Sequence, residues 1–243
     1  MLSPVSPATE SAFSAKDVAR AVSTSTHAAK APETLAEVVV VDYGLGNLRS
    51  VTRGLERAGA AVEITDDPGE FSEADGIVLP GVGAFREGVE NAGPYREALL
   101  EAAERSQPVF GICLGMQMLL TDSEEAAHDG EGDVHGLDLI PGTNLRFSQG
   151  QKVPHMGWNE LSVEREHPLV EGVDSEYAYF VHSYYAEPED ADTIVATTDY
   201  EIEFPAIVAN EAGNVFGTQF HPEKSGETGL QILRNFVGIC AEK

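Results

Sequence analysis

Four consecutive valines open the first sustained apolar run, VVVVDYG at 38–44, and then the period changes. In NLRSVTRGLERAG (47–59), Leu48, Val51 and Leu55 recur three and four residues apart and Gly59 follows. An unbroken apolar run suits a strand buried on both faces, whereas the wider spacing marks one face of a helix with a glycine stop. AAVEITDD (60–67) and DGIVLPG (75–81) predict further strands. FREGVENAG and PYREALLEAAERS predict helices divided at Pro94, a residue suited to the first turn of the second. PVFGIC (108–113) predicts a strand, and LGMQMLLTDS (114–123) predicts a helix. Strands alternating with helices imply parallel pairing through right-handed crossovers, hence a doubly wound sheet.

After Ser123 the texture changes. EEAAHDGEGDVHG (124–136) reads as an acidic, glycine-containing loop, and strand-like runs with few helices between them follow. VPHMGWNEL, YAYFVHSYYA, TIVATTDY and the pair PAIVAN/NVFGTQFH around Glu211–Gly213 predict antiparallel strands and a hairpin. A last helix is predicted over about 228–240, with Leu230, Leu233, Phe236 and Val237 facing the core. The expected fold is α/β: a doubly wound, mostly parallel sheet flanked by helices, with an antiparallel C-terminal extension. With no Pro/Gly/Ser linker inside it, 37–243 reads as one domain. Residues 1–36, rich in Ser, Ala, Thr and Pro, read as a flexible extension without the continuous apolar segment of a signal peptide. At most a short helix at 14–23 is suggested by Ala15, Val18 and Val22.

Charge narrows the classes of partner. Lys and Arg total 15 against 41 Asp and Glu, a net −26, which argues against a nucleic-acid groove or an anionic membrane surface. Acid spread over helix faces and loops fits a surface screened by high salt. Only two cysteines occur, Cys113 and Cys240, far apart and in unlike contexts, so no disulfide framework is expected and a reducing cytoplasm suits the chain. No Cys-x-x-Cys or His-x-x-x-His supports a metal site, no cofactor is expected, and no run approaches the ~20 apolar residues of a membrane helix.

The chemistry concentrates in three segments. GICLG (111–115) places Cys113 between glycines where a strand turns into a helix, a thiol counterpart of the nucleophile elbow. The starting helix aims free N–H groups and its positive end at the sulfur, which favours the attacking thiolate. A buried structural cysteine remains the alternative from this motif alone, and it is the expected role of Cys240. In QFHPEKS (219–225), His221 and Glu223 stand two residues apart, and in an extended segment such residues share a side. A carboxylate there can orient the imidazole, leaving its other nitrogen as base and later acid. LPGVGAF (79–85) carries Gly81 and Gly83 in a loop whose amides, with the one after Cys113, could hold an oxyanion; a plain tight turn is the other reading. Gly44 and Gly46 begin a dinucleotide-like pattern that fails at Arg49, so nucleotide binding is rejected there. His27, His128, His135 and His167 lie in tail or loop contexts and are expected to be solvated.

Taken in order, GICLGMQ, QFHPE and PGVG resemble the class I (triad) glutamine amidotransferases. DYGLGNLRSV (42–51), KVPHMGWNEL (152–161), YFVHSYYA (179–186) and GTQFHPEKS (217–225) are most similar to the glutaminase subunits of imidazole glycerol phosphate synthases, and together the motifs cover nearly everything after residue 37. The resemblance implies that Cys113 attacks the glutamine carboxamide, His221 activates it and Glu223 orients His221. It further implies that Gly81, Gly83 and Leu114 serve the oxyanion or substrate, and that Gln117, Ser183 and Tyr184 hold glutamine. The implied partner is a (β/α)8-barrel cyclase in a heterodimer, with Asn47, Trp158, Tyr179 and Lys224 near the interface and activity dependent on docking. Trp158 could also be ordinary core. The alternatives are a stand-alone cysteine hydrolase of γ-glutamyl or peptide bonds, needing no barrel, and a non-catalytic regulatory subunit. Two departures stand out: the first ~36 residues, and Glu201 where the family would place glycine.

Overall fold

The computed structural model describes residues 35–128, 134–148 and 150–242. The extension expected at 1–36 lies outside them except for Leu35 and Ala36, as does the short helix considered at 14–23. Ala36 is buried, and its carbonyl accepts from the Ala61 amide.

The first half alternates as expected. Strand β1 (Glu37–Val41) leads to helix α1 (Leu48–Ala58), which ends on Gly59 at φ 104, and then to β2 (Ala61–Thr65) and β3 (Gly76–Gly81). Helices α2 (Phe85–Ala92) and α3 (Arg96–Glu104) flank a 3₁₀ turn containing Pro94, and β4 (Val109–Cys113) runs into α4 (Leu114–Leu119). Beyond it come β5 (Asp122–Ser123), α5 (Glu124–His128), β6 (Gly142–Arg146), β7 (His155–Glu160) and β8 (Ser162–Val163). Strands β9 (Tyr177–His182), β10 (Tyr184–Pro188), β11 (Ile194–Asp199), β12 (Glu203–Ala209) and β13 (Val215–Thr218) precede α6 (Gly226–Ala241).

Among the described residues the main sheet has eight strands in the order β2-β1-β3-β4-β13-β12-β11-β8. Pairing is parallel from β2 to β13 and antiparallel from there to β8. Both faces are covered, which explains the unbroken valine run. Val38 and Val40 pack with Val51 and Leu55 of α1 and Ile232 and Phe236 of α6; Val39 and Val41 pack with Phe85, Leu99 and Leu114 of α2, α3 and α4. Two small sheets lie outside this one, β10-β6-β5 and β7-β9.

Three expectations need correction. The helix predicted through Ser123 stops at Leu119, because segment 136–140 folds back on its end: the Leu137 and Leu139 amides donate to the carbonyls of Met118 and Leu119. Asp122 and Ser123 then pair with β6. The acidic loop begins with a helical turn, α5, where the Ser123 hydroxyl accepts from the Glu125 amide. YAYFVHSYYA forms two strands that part at Ser183, since β9 pairs with β7 and β10 with β6.

Candidate active site

The parallel pairing of β3, β4 and β13 brings three sequence-distant segments to one edge. Gly81 pairs with Cys113, and Ile112 with Thr218. Past that edge lies a cleft of about 350 Å³ whose lining includes Gly83, Cys113, Leu114, Gln117, Ser183, Tyr184, His221 and Lys224. That volume falls in the roughly 300–1,000 Å³ of small-molecule sites.

Cys113 has φ 55 and ψ −107. A non-glycine residue in such a conformation costs on the order of 1–3 kcal/mol and persists only where its surroundings impose it. Here the glycines impose it. A Cβ on Gly115 would sit 1.8 Å from the Leu79 carbonyl oxygen, and one on Gly111 would sit 2.7 Å from the backbone of Gly115. The first turn of α4 therefore lies directly on β3 and β4, and the thiol, 7 % exposed as a residue, reaches the cleft.

His221 lies beyond the end of β13. Its amide donates to the Tyr179 carbonyl (3.1 Å), and its carbonyl accepts from the Ser225 hydroxyl (2.7 Å), which in turn accepts from the Tyr179 amide (2.9 Å). The expected cause of its pairing with Glu223, an extended segment, is corrected. Pro222–Lys224 is a 3₁₀ turn, and that turn returns the carboxylate to the ring. His221 Nδ1 and Glu223 Oε1 are 3.0 Å apart, with both side chains at most 3 % exposed. Nε2 is left for the sulfur. Burial alone would push the imidazole down, but the hydrogen bonds it donates to Cys113 and Glu223 and the charges of both outweigh it, raising His221 to about 9. Such a ring stays cationic at neutral pH.

The remaining predicted residues separate by place. Gly83 adopts φ 108 and lines the cleft. Gly81 does not line it: a Cβ there would meet the Tyr43 hydroxyl and Leu114 Cβ at 2.6 and 2.7 Å, so this glycine lets β3 and α4 approach. Gln117 donates through Nε2 to the Tyr184 carbonyl (3.0 Å) and to Gln219 Oε1 (3.1 Å). Asn47 and Lys224 are exposed. Trp158, 53 % exposed, faces Tyr179 across β7–β9 at a ring separation of 5.9 Å, and Met156 beside it is 62 % exposed. The core reading of Trp158 is set aside.

Sequence reasoning missed His182, Gln219 and Ser225, all buried. His182 lines the cleft, donates through Nδ1 to the Tyr184 carbonyl at 2.8 Å, and contacts His155 at 3.2 Å. Burial, opposed by the Tyr184 carbonyl and joined by the neighbouring histidines, pushes it down to about 3, so this ring is neutral. The letters stood inside the motifs, but nothing local signalled burial. His167 is not the solvated residue expected: half-buried, it accepts through Nδ1 from the Leu169 amide and caps a 3₁₀ turn. His135 is exposed beside Asp122, while His27 and the His128 side chain fall outside the description. Cys240 is buried between α6 and Gly76 and forms no disulfide. No helix among the described residues is long and apolar enough to cross a membrane.

The chain has counterparts among known proteins. The profile of the family described as Glutamine amidotransferase class-I matches residues 39–240. The imidazole glycerol phosphate synthase subunit HisH of Natronomonas pharaonis is 77 % identical over 208 residues, covering 86 % of this chain and 97 % of the relative. The protein of the same name from Methanosarcina mazei is 51 % identical over 205 residues, covering 84 % and 98 %. Among solved structures, PurLQS from Thermotoga maritima superposes with a TM-score of 0.65 at 23 % identity, covering 84 % of this chain and 99 % of that one. A structure described as a glutamine amidotransferase gives 0.65 at 19 %, covering 84 % and 98 %. These two likenesses speak to the fold alone.

Proposed function

Because the chain belongs to the class I glutamine amidotransferases, we propose that it is the glutaminase subunit of an imidazole glycerol phosphate synthase. It hydrolyses glutamine to glutamate and ammonia and passes the ammonia to a cyclase subunit that makes imidazole glycerol phosphate and an aminoimidazole carboxamide ribotide. The observation that carries the reading is a strained, cleft-facing Cys113 joined to a buried imidazole–carboxylate pair. The name shared by the relatives supports the choice of synthase.

In this reading the Cys113 sulfur attacks the carboxamide carbon of glutamine, and the C=O electron pair moves to oxygen. Amides of Gly83 and Leu114 receive that oxyanion. His221 hands its Nε2 proton to the departing nitrogen as the C–N bond breaks, and ammonia leaves. Water then attacks the thioester, His221 takes its proton, the C–S bond breaks to return the Cys113 thiolate, and glutamate is released. Glu223 holds Nδ1 throughout. Gln117, Ser183 and Tyr184 hold the amino-acid end of the substrate.

The (β/α)8 cyclase docks on the ribbon that carries Trp158 and Tyr179, with Asn47 and Lys224 at its border, to form a cytoplasmic heterodimer. Free ammonia would be protonated in bulk water and lost, so hydrolysis is low until docking completes the site. Replacement Cys113→Ala in the complex is expected to abolish glutamine-dependent synthesis and to leave ammonia-dependent synthesis intact. Loss of both, or robust glutamine turnover by the isolated chain, would contradict this division of labour.

A further inference from the structure

Gln219 has no assigned role in the chemistry above, yet its side chain is fully buried beside the reacting sulfur. The register puts it there. Thr218 pairs with Ile112 across β13 and β4, so the next residue of each strand, Gln219 and Cys113, leaves the sheet at the same edge. The Gln219 amide donates to the Ala206 carbonyl, which fixes its backbone against β12. A buried primary amide must find partners for both ends of its tip or lose about 1–3 kcal/mol for each group left bare. Its Nε2 lies 3.8 Å from Cys113 Sγ, and its Oε1 accepts from Gln117 Nε2 at 3.1 Å.

These two contacts agree on one orientation. Turned over, Gln219 would set its Nε2 against Gln117 Nε2, two donors facing each other, and its carbonyl oxygen against a sulfur that must become negative. Gln117 is fixed by the same logic. Its two Nε2 hydrogens go to the Gln219 Oε1 and the Tyr184 carbonyl, so Oε1 is the polar atom it has left to offer in the cleft it lines. An acceptor there suits the ammonium or amide N–H of an amino-acid substrate.

We propose that Gln219 is a further catalytic residue, donating through Nε2 to the attacking sulfur while its Oε1 locks the Gln117 amide with its acceptor toward the substrate. The assignment rests on Cys113 as nucleophile and adds an uncharged N–H donor to a sulfur whose other contacts are the His221 ring and the Val181 carbonyl at 3.9 Å. His221 carries the proton and a charge. Gln219 supplies an N–H without a charge, so it stabilises the thiolate without competing for the proton that His221 must deliver. Because one side chain makes both contacts, the attacking atom and the substrate-holding amide are oriented together.

The test uses the full chain and its complex with the cyclase. Gln219→Leu removes both contacts without adding charge. Gln219→Glu loses the donor but keeps an acceptor for Gln117. Iodoacetamide alkylation of Cys113, followed by mass spectrometry at pH 7.5, reads the sulfur, and the kcat and KM of the complex for glutamine read turnover and binding. A hydrogen bond to a charged group sets the scale at about tenfold or more. Both variants are expected to lose at least about tenfold in alkylation rate and in kcat, while KM rises about tenfold in Gln219→Leu and stays within about twofold in Gln219→Glu. Wild-type alkylation of Gln219→Leu, or an equal rise of KM in both variants, overturns the proposal. Gln219→Met, of similar length, without a donor and with only a weak sulfur acceptor, replaces the leucine variant if thermal unfolding shows that variant to be misfolded. Cys113→Ala is run alongside. If it keeps glutaminase activity, the nucleophile assignment itself fails, and the role of Gln219 fails with it.

Discussion

Replacing Glu223 by glutamine tests the proposed division of roles most directly. The change is isosteric. The amide oxygen of glutamine can still accept from His221 Nδ1, so the ring keeps its orientation and tautomer, and only the carboxylate charge is removed. A hydrogen bond to a charged partner contributes about 1.5–3 kcal/mol, which at 1.36 kcal/mol per pKa unit corresponds to about 1–2 units. His221, held at about 9 with the carboxylate in place, should therefore fall to between about 7 and 8. In the glutamine-dependent reaction of the complex, the alkaline limb of kcat/KM follows loss of the imidazolium. It should move from about pH 9 to about pH 7–8 in Glu223→Gln, which through protonation lowers kcat/KM at pH 7.5 by between about 1.3- and fourfold, the loss growing above about pH 9 toward about tenfold for each unit by which the pKa falls. Stability follows the same group with a definite sign. A histidine raised above its unfolded value of about 6.5 contributes stability that is fully present below that pH and disappears as pH rises through the folded pKa. The pH-dependent part of the difference in melting temperature between wild type and variant should thus be largest below about pH 6.5 and vanish above about pH 9. An alkaline limb that does not move would refute the argument that Glu223 sustains the imidazolium.

Three other substitutions probe the frame around the site. Gly115→Ala sets helix propensity, worth about 1 kcal/mol in favour of alanine, against a Cβ 1.8 Å from the Leu79 carbonyl; denaturant unfolding should show a loss of more than about 3 kcal/mol, and a stabilised variant would mean that α4 does not lie on β3 as described. Glu201 occupies φ 62 in the turn between β11 and β12, where a residue with Cβ costs about 1–2 kcal/mol; after the extra chain entropy of glycine, Glu201→Gly should gain about 0.5–1 kcal/mol, read as a rise of about 1–4 °C in melting temperature. Trp158→Ala removes an exposed aromatic whose nearest ring is Tyr179; the isolated chain should change by less than about 0.5 kcal/mol, whereas calorimetric titration with the cyclase should show Kd higher by about thirtyfold, the effect of about 2 kcal/mol at an interface anchor.

What the sequence determined by itself is what local physics can write in a few consecutive residues. The valine run of β1, the helical spacing of Leu48, Val51 and Leu55 with the stop at Gly59, and the strand-to-helix turn around Cys113 are all of this kind. His221 and Glu223 were legible as a pair because they are two residues apart, although the geometry that joins them is a 3₁₀ turn and not a strand. Folding alone decided which side chains meet across more than a hundred residues. Gln219 touches Cys113 because β13 inserts beside β4 in one register, and a slip of one residue would turn its side chain to the opposite face. Ser225 ties His221 to β9, and the chain breaks at Ser183 because its two flanking strands find different partners. Gly81 was read as a site residue but serves the close approach of a strand and a helix, since what a missing Cβ makes room for is fixed only when the neighbouring element arrives. Pairing partners and register belong to the whole chain, because they are set by the burial of both faces of the sheet at once.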